Sequence, residues 1–100
     1  MNLISQNQAT LRELCTRYKV KSLYAFGSVL SNNFNQNSDI DLIVHFKEIP
    51  VKDYADNYFD FKYSLQNIFN RPLDLLEEQA IKNPFFKKDV NQTKQLVYGC

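Results

Sequence analysis

Apolar side chains recur every three or four residues in three segments of the chain, the spacing that puts them on one face of an α-helix. The first segment covers residues 5–19, where Ser5 and Gln8 have the spacing of a capping box. The second covers residues 52–69 and ends shortly before Pro72, a residue type that interrupts helices. Both segments are predicted to be amphipathic helices.

The third helical segment begins at Asn83 and Pro84, residue types that are favoured at an N-cap and at the first helical position. Phe86, Val90 and Val97 continue the spacing of one apolar face. A last helix is therefore expected to begin at Pro84 and to include Val97.

Three shorter segments have the length and the β-branched or aromatic content of strands. They cover residues 22–26, which end at Gly27, residues 40–46 and residues 73–77. The order helix, strand, strand, helix, strand, helix predicts an α+β fold in which helices pack on a small mixed β-sheet.

The composition fits a single compact domain covering residues 1–100. With 44% hydrophobic and 14% aromatic residues the chain can fill one core, and its length leaves no room for a second. The net charge of +1 gives no broad basic surface that would attract a polyanion. Nucleic acid is therefore not expected as a partner.

Cys15 and Cys100 are too few, and too far apart in the chain, to form a disulfide framework or a metal knuckle, which indicates a reducing compartment. The N-terminal residues lack the basic and apolar regions of a signal peptide, and no run of about 18 apolar residues occurs. The protein is therefore expected to be soluble and cytoplasmic, with no membrane partner.

Two aspartates open the strand predicted at residues 40–46. Asp39 and Asp41 are separated by one residue, so in an extended chain their side chains share one face, with Cα atoms about 6.6 Å apart. Carboxylates this close repel each other, and apolar surroundings add a desolvation cost. A divalent cation would offset both effects, because Mg²⁺ is typically held by one or two carboxylates together with substrate phosphates.

Gly27 and Ser28 follow the first predicted strand, and a loop of ten residues separates Ser28 from Asp39. A glycine lets the backbone approach a ligand and a serine hydroxyl adds a hydrogen bond, so the pair could hold phosphate oxygens. Taken alone, Gly-Ser is more often an ordinary turn after a strand. Its combination with D-x-D at this separation is expected by chance in about one chain in a thousand.

Asp74 is the third candidate carboxylate. It lies between two leucines of the last predicted strand, where a charge without a partner would be costly. Two-metal phosphoryl transfer needs ligands for two ions, and Asp74 would complete that set beside Asp39 and Asp41. The structural alternative is that Asp74 pairs with Arg71 or caps the turn after Pro72.

Other polar residues are interpreted as structural. His45 has no second ligand residue beside it and is expected to be a hydrogen-bonded strand residue. Glu77 and Glu78 are expected at the solvated start of the following helix.

The segment GSVLSNNFNQNSDIDLIV, in which Gly-Ser precedes D-x-D and an apolar strand, resembles the polymerase-β-like nucleotidyltransferases. The short length and the segment RPLDLLEEQAIKNPFF are similar to the minimal MNT-type members, which are often encoded beside a HEPN-domain toxin. The resemblance implies the polymerase-β-like nucleotidyltransferase fold over nearly the whole chain.

The resemblance also implies a function. Members of this kind are antitoxins that transfer AMP from ATP to a tyrosine hydroxyl of the HEPN partner. In that scheme Gly27 and Ser28 bind the nucleotide. Asp39, Asp41 and Asp74 are the implied catalytic residues and ligands of two Mg²⁺ ions, and Asp74 deprotonates or orients the incoming hydroxyl. The acceptor is expected to be a separate protein.

The chain departs from the family pattern directly after Gly-Ser. The family commonly has an arginine there, whereas this chain has Val29. The absence of that cation weakens the expected hold on the triphosphate. It leaves open an alternative in which a weak or inactive enzyme neutralises its partner by binding alone.

Overall fold

The computed structural model describes residues 2–27 and 39–99 of the chain. The helices are α1 (Asn2–Gln6), α2 (Gln8–Arg17), α3 (Val51–Phe69) and α4 (Pro84–Thr93), and a 3₁₀ turn lies at Glu78–Ala80. The strands are β1 (Val20–Phe26), β2 (Ile40–Phe46), β3 (Leu73–Glu77) and β4 (Gln95–Gly99).

The four strands in the described ranges form one mixed sheet in the order β3-β2-β1-β4. β1 runs antiparallel to both β2 and β4, whereas β2 and β3 are parallel and are joined by α3 as their crossover helix. The predicted α+β fold with a small mixed sheet is therefore confirmed. The predicted bounds of the second and third strands match β2 and β3, while β1 begins two residues earlier than predicted.

The N-terminal helix differs from the prediction. Instead of one helix over residues 5–19, the chain forms α1 and α2, and Asn7 is the N-cap of α2. The N–H of Asn7 donates to the carbonyl of Ile4 at 3.2 Å, and its carbonyl accepts from Leu11 at 2.9 Å. Ser5 lies inside α1 rather than at a helix start, so the predicted capping box is wrong. The apolar spacing hid this break because Ile4 and Leu11 are both buried.

The last predicted helix is wrong beyond Thr93. α4 ends there, Lys94 is extended, and the following residues form β4, which pairs with β1 at the edge of the sheet. Val97 is buried as predicted, but it reaches the core from a strand. The backbone groups along the open side of β1 need hydrogen-bond partners, and a strand can provide a row of them whereas a helix cannot.

Two predicted helix boundaries are confirmed by local hydrogen bonds. The side-chain oxygen of Asn83 accepts from the N–H groups of Phe85 and Phe86 at 3.0 and 3.3 Å, and Pro84 follows as the first helical residue. α3 ends at Asn70, whose φ of 53° is the left-handed conformation common at helix C-termini.

The main core lies between the sheet and the pair α2 and α3. Phe61 of α3 is fully buried there, and its ring contacts those of Tyr18 and Phe46 at centroid distances of 5.7 and 5.9 Å. Aromatic contacts of this kind add to the stability gained by burying apolar area. Within residues 2–27 and 39–99, no helix has both the length and the apolar character needed to cross a bilayer.

Alternate residues of β1 and β2 point to the opposite face of the sheet, which α4 contacts. Val90 of α4 is buried on this face, and the ring of Phe86 contacts that of Phe26 at a centroid distance of 6.1 Å. Asp41 is paired with Phe26 across the two strands and therefore shares this face. The candidate chemistry thus lies on the side of the sheet that carries α4.

The core can be tested at Phe61. Replacing Phe61 with alanine removes a fully buried ring and leaves a cavity, so we expect the free energy of unfolding to fall by about 3–5 kcal/mol. The same change at Phe85, which is 84% exposed, should alter it by less than about 0.5 kcal/mol. Urea denaturation measures both values, and equal losses in the two variants would contradict this description of the core.

Candidate active site

Asp41 lies on a central strand and has a paired residue on each side. In the antiparallel register of β1 and β2 it is opposite Phe26, and in the parallel register of β2 and β3 it is paired with Asp74. Residues paired in this way project from the same face of the sheet. The fold therefore brings together Asp41 and Asp74, which are far apart in the sequence.

Asp39 is the third carboxylate of this cluster. It immediately precedes β2 and is exposed, whereas Asp41 is half-buried. The charge of Asp39 contributes to a raised pKa of Asp41, so the two side chains are close enough to interact. The structure thus brings together Asp39, Asp41 and Asp74, the three carboxylates singled out from the sequence.

The pKa of Asp41 is raised above its ordinary value, chiefly because burial disfavours the charged carboxylate. Repulsion by the charge of Asp74 comes next, followed by a side-chain hydrogen bond with Asp74 and the charge of Asp39. Two carboxyl groups can share a hydrogen bond only when one of them carries a proton. Protonation of one carboxyl therefore relieves the same repulsion that a bound cation would relieve.

The donor chemistry of the cluster fits a hard divalent cation, because Mg²⁺ prefers carboxylate oxygens. In the described ranges, however, no three acidic, histidine or cysteine side chains already have the arrangement of a metal site. Asp41 and Asp74 are hydrogen-bonded to each other instead. A cation bound between Asp41 and Asp74 would replace this hydrogen bond.

Gly27 packs closely against Asp41. Its φ of +73° lies in the left-handed region that favours glycine. A Cβ at this position would be 2.7 Å from the Oδ2 of Asp41, a separation that real side chains do not tolerate. The end of β1 therefore approaches the carboxylates as closely as a backbone can. Ser28, the other predicted nucleotide-binding residue, lies outside the described residues, as does Val29.

Two tyrosines of α3 fix the position of β3. The hydroxyl of Tyr58 donates to the carbonyl of Leu75, next to Asp74, and the hydroxyl of Tyr54 donates to the carboxylate of Glu77. Burial is the main reason that the pKa of both phenols is raised, so both hydroxyls keep their protons at neutral pH. The strand that carries Asp74 is thus held from α3 as well as from β2. The solvated position predicted for Glu77 is wrong.

A second polar cluster lies at the opposite end of β2. The Nδ1 of His45 is 3.3 Å from one carboxylate oxygen of Glu78, and the Nζ of Lys94 is 3.6 Å from the other. His45 is therefore a hydrogen-bonded strand residue, as predicted. Glu78 begins the 3₁₀ turn that follows β3, as predicted for the start of the next helix, but its carboxylate has His45 and Lys94 as partners. No local pattern predicted this cluster, because His45, Glu78 and Lys94 come from three separate parts of the chain.

A pocket of about 380 Å³ adjoins this second cluster, and its lining includes His45, Tyr54 and Glu77. None of the three clustered aspartates lines it. The pocket and the carboxylate cluster are therefore separate features, and the chemistry inferred from the sequence belongs to the carboxylates.

Residues 8–97 match the family described as the nucleotidyltransferase domain. A Methanocaldococcus jannaschii protein, provisionally named protein adenylyltransferase MJ0128, is 37% identical over 102 residues, which cover 98% of this chain and 99% of that protein. Protein adenylyltransferase MntA of Thermococcus cleftensis is 26% identical over 76 residues, which cover 76% of this chain and 74% of its own.

Solved structures share the fold at lower sequence identity. A structure provisionally described as a minimal nucleotidyltransferase has a TM-score of 0.74 at 22% identity, covering 91% of this chain and 89% of its own. A toxin–antitoxin complex with AMP-PNP has a TM-score of 0.70 at 18% identity, covering 95% of this chain and 73% of its own. A complex of a tri-AMPylated Shewanella oneidensis HEPN toxin with an MNT antitoxin has a TM-score of 0.66 at 17% identity, covering 97% and 73%.

The family match spans most of the chain, and the relative from Methanocaldococcus jannaschii is similar to this chain over nearly its full length. The structural matches extend the same conclusion to the fold, which is that of the minimal nucleotidyltransferases, as the resemblance predicted. The chain belongs to the nucleotidyltransferase domain family.

Proposed function

We propose that this protein transfers AMP from ATP to a tyrosine hydroxyl of a HEPN-type toxin and thereby acts as its antitoxin. The observation that carries the proposal is the cluster of Asp39, Asp41 and Asp74 beside Gly27. In a chain of the nucleotidyltransferase domain family, such a cluster of carboxylates can hold the divalent cations that act on a nucleoside triphosphate.

The similar proteins support the substrate and the partner. Relatives are named protein adenylyltransferases, and one similar fold occurs in a toxin–antitoxin complex with AMP-PNP. Another occurs with a tri-AMPylated HEPN toxin. ATP is therefore the proposed donor and a separate HEPN-type protein the proposed acceptor. We propose that residues 1–100 act as one minimal domain in the cytoplasm, where ATP is abundant.

We assign Asp39, Asp41 and Asp74 as the residues that would hold two Mg²⁺ ions, and Gly27 and Ser28 as nucleotide-binding residues. The oxygen donors fit a hard cation, and so does the raised pKa of Asp41, which is caused chiefly by burial and then by the charge of Asp74. When bound, Mg²⁺ would neutralise the triphosphate and make the acceptor hydroxyl easier to deprotonate.

The chain's own residues would orient the acceptor hydroxyl and accept its proton. The acceptor oxygen forms a bond to the α-phosphorus, the bond from that phosphorus to the bridging oxygen breaks, and pyrophosphate leaves. Asp74 is the exposed member of the hydrogen-bonded pair, so it is the carboxylate best placed to orient the incoming hydroxyl and accept its proton. The missing side chain at Gly27 lets the backbone lie against the carboxylate of Asp41.

Transfer can be tested with labelled ATP, Mg²⁺ and a HEPN-type protein encoded beside this chain. Asp39→Ala combined with Asp41→Ala should lower the rate of labelling by at least about 100-fold, because it removes charge stabilisation at the reacting phosphate. The control is Asp56→Ala combined with Asp60→Ala, two exposed aspartates on α3, which should label at the wild-type rate. Absence of label with the wild type, or equal rates in both double variants, would contradict the proposed reaction.

The same double variants separate catalysis from binding alone. The replacement of the expected arginine by Val29 favours this second candidate function, an antitoxin that only masks its toxin. Transfer predicts that Asp39→Ala with Asp41→Ala fails to rescue growth of cells expressing the toxin. Full rescue by that variant would support neutralisation by binding.

Gly27 offers a separate test of the proposed nucleotide site. Gly27→Ala places a Cβ against the carboxylate of Asp41, so we expect at least about 10-fold weaker binding of AMP-PNP with Mg²⁺. The positive φ should lower the free energy of unfolding by only about 1 kcal/mol, which leaves the variant folded. Calorimetric titration and thermal unfolding measure the two effects, and wild-type affinity in the variant would exclude Gly27 from the site.

The raised pKa of Asp41 predicts a pH dependence of stability. Because the folded protein holds this proton more tightly than the unfolded chain, stability falls as pH rises from 3.8 through the raised pKa. In EDTA at pH 7, Asp41→Asn should therefore unfold at a higher temperature than the wild type, with the difference shrinking as pH falls towards 3.8. Asp56→Asn on the surface of α3 is the control. A lower unfolding temperature for Asp41→Asn at pH 7 would contradict the repulsion inferred for the cluster.

A further inference from the structure

An aromatic surface adjoins the three carboxylates. Phe26 is the last residue of β1, and its pairing with Asp41 sets their Cβ atoms about 5 Å apart on one face of the sheet. The ring of Phe86, in the first turn of α4, contacts the ring of Phe26 with centroids 6.1 Å apart and planes at 72°. Phe26 therefore links Phe86 to the strand position beside Asp41.

Packing against the sheet accounts for only part of the Phe86 side chain. Val90, one turn further along the same side of α4, is 3% exposed, whereas Phe86 is 39% exposed. An aromatic side chain that is open to this extent leaves apolar surface in contact with water, although the ring is anchored on its other side by Phe26. The ring of Phe86 is therefore fixed on one side by Phe26 and is open to solvent on the other.

A ring that is fixed on one side and exposed on the other can stack against a planar aromatic ligand. Nucleobases stack on aromatic side chains, and this contact adds affinity without reading the hydrogen-bonding edge of the base. A nucleotide whose phosphates lie at Asp41 has its base on the far side of the ribose. Phe86 is likewise set apart from Asp41, with the ring of Phe26 as the shared neighbour of both.

We propose that Phe86 is the stacking platform for the nucleobase. This inference rests on the proposed function, since it takes the ligand of the carboxylate cluster to be a nucleotide triphosphate. Stacking is tolerant of base identity, so adenine and guanine nucleotides should bind with affinities within a few-fold of each other. Phe86 is then a positioning residue, which holds the nucleoside while the phosphates lie at the carboxylates.

The test is calorimetric titration of the full chain with AMP-PNP and Mg²⁺. Phe86→Ala should weaken binding about 5- to 150-fold, the range found when a ring that stacks on a base is removed. Phe86→Trp should bind at least as tightly as the wild type, because it keeps and enlarges the aromatic face. Phe86→Leu keeps an apolar contact with Phe26 but should lose most of the affinity that Phe86→Ala loses.

Two controls isolate stacking from indirect effects. Phe85→Ala makes the same chemical change at the adjacent position, where the side chain is 84% exposed and about 100° further around the helix, and it should bind AMP-PNP like the wild type. Tripolyphosphate with Mg²⁺ has no base, so Phe86→Ala should bind it as the wild type does. Thermal unfolding should find each variant folded at the temperature of the titration.

Several results would overturn the inference. Wild-type affinity for AMP-PNP in Phe86→Ala would exclude stacking, and an equal loss for tripolyphosphate would mean that Phe86 only supports the carboxylates. Unchanged AMP-PNP affinity with a raised KM for the acceptor protein would make Phe86 a protein-docking contact instead. If the wild type itself fails to bind AMP-PNP with Mg²⁺, the proposed function falls together with this inference, whereas the first three results leave the proposed function standing.

Discussion

Repulsion between carboxylates on adjacent central strands is the constraint around which this structure is organised. The parallel register of β2 and β3 pairs Asp41 with Asp74, and the pKa of Asp41 is raised chiefly by burial and then by the charge of Asp74. Apolar residues at these positions would make a more stable sheet, because desolvating like charges is unfavourable. The arrangement is understandable if a cation and a nucleotide triphosphate are what the cluster binds, since both supply the interactions that the carboxylates lack.

The surrounding fold holds the two strands in this unfavourable register. β2 is central and is paired along both sides, while β3 is fixed from α3 by the hydroxyl of Tyr58 on the carbonyl of Leu75. The main core on the other face, with Phe61 fully buried, provides the stability against which the repulsion acts. Strain at functional sites is commonly sustained in this way by the rest of a structure.

Local patterns in the sequence predicted most elements, but not how distant ones meet. Strand alternation was enough to put Asp39 and Asp41 on one face. The pairing of Asp41 with Asp74 depends on a parallel register across α3, which no local spacing encodes. β4 was missed because its single buried residue, Val97, continues the helical spacing of α4, and its pairing with β1 is again a long-range contact. The contact of Phe86 with Phe26 has the same origin.

We propose that Asp39, Asp41 and Asp74 form one cation site at which a nucleoside triphosphate binds. Anomalous diffraction from crystals grown with Mn²⁺ and AMP-PNP tests it most directly, because Mn²⁺ takes the same oxygen ligands as Mg²⁺ and can be located by its scattering. We expect anomalous peaks between these carboxylates and the phosphates, with Asp41 and Asp74 no longer hydrogen-bonded to each other. Peaks only elsewhere, for example at Glu77 and Glu78, with the aspartate pair intact, would contradict it.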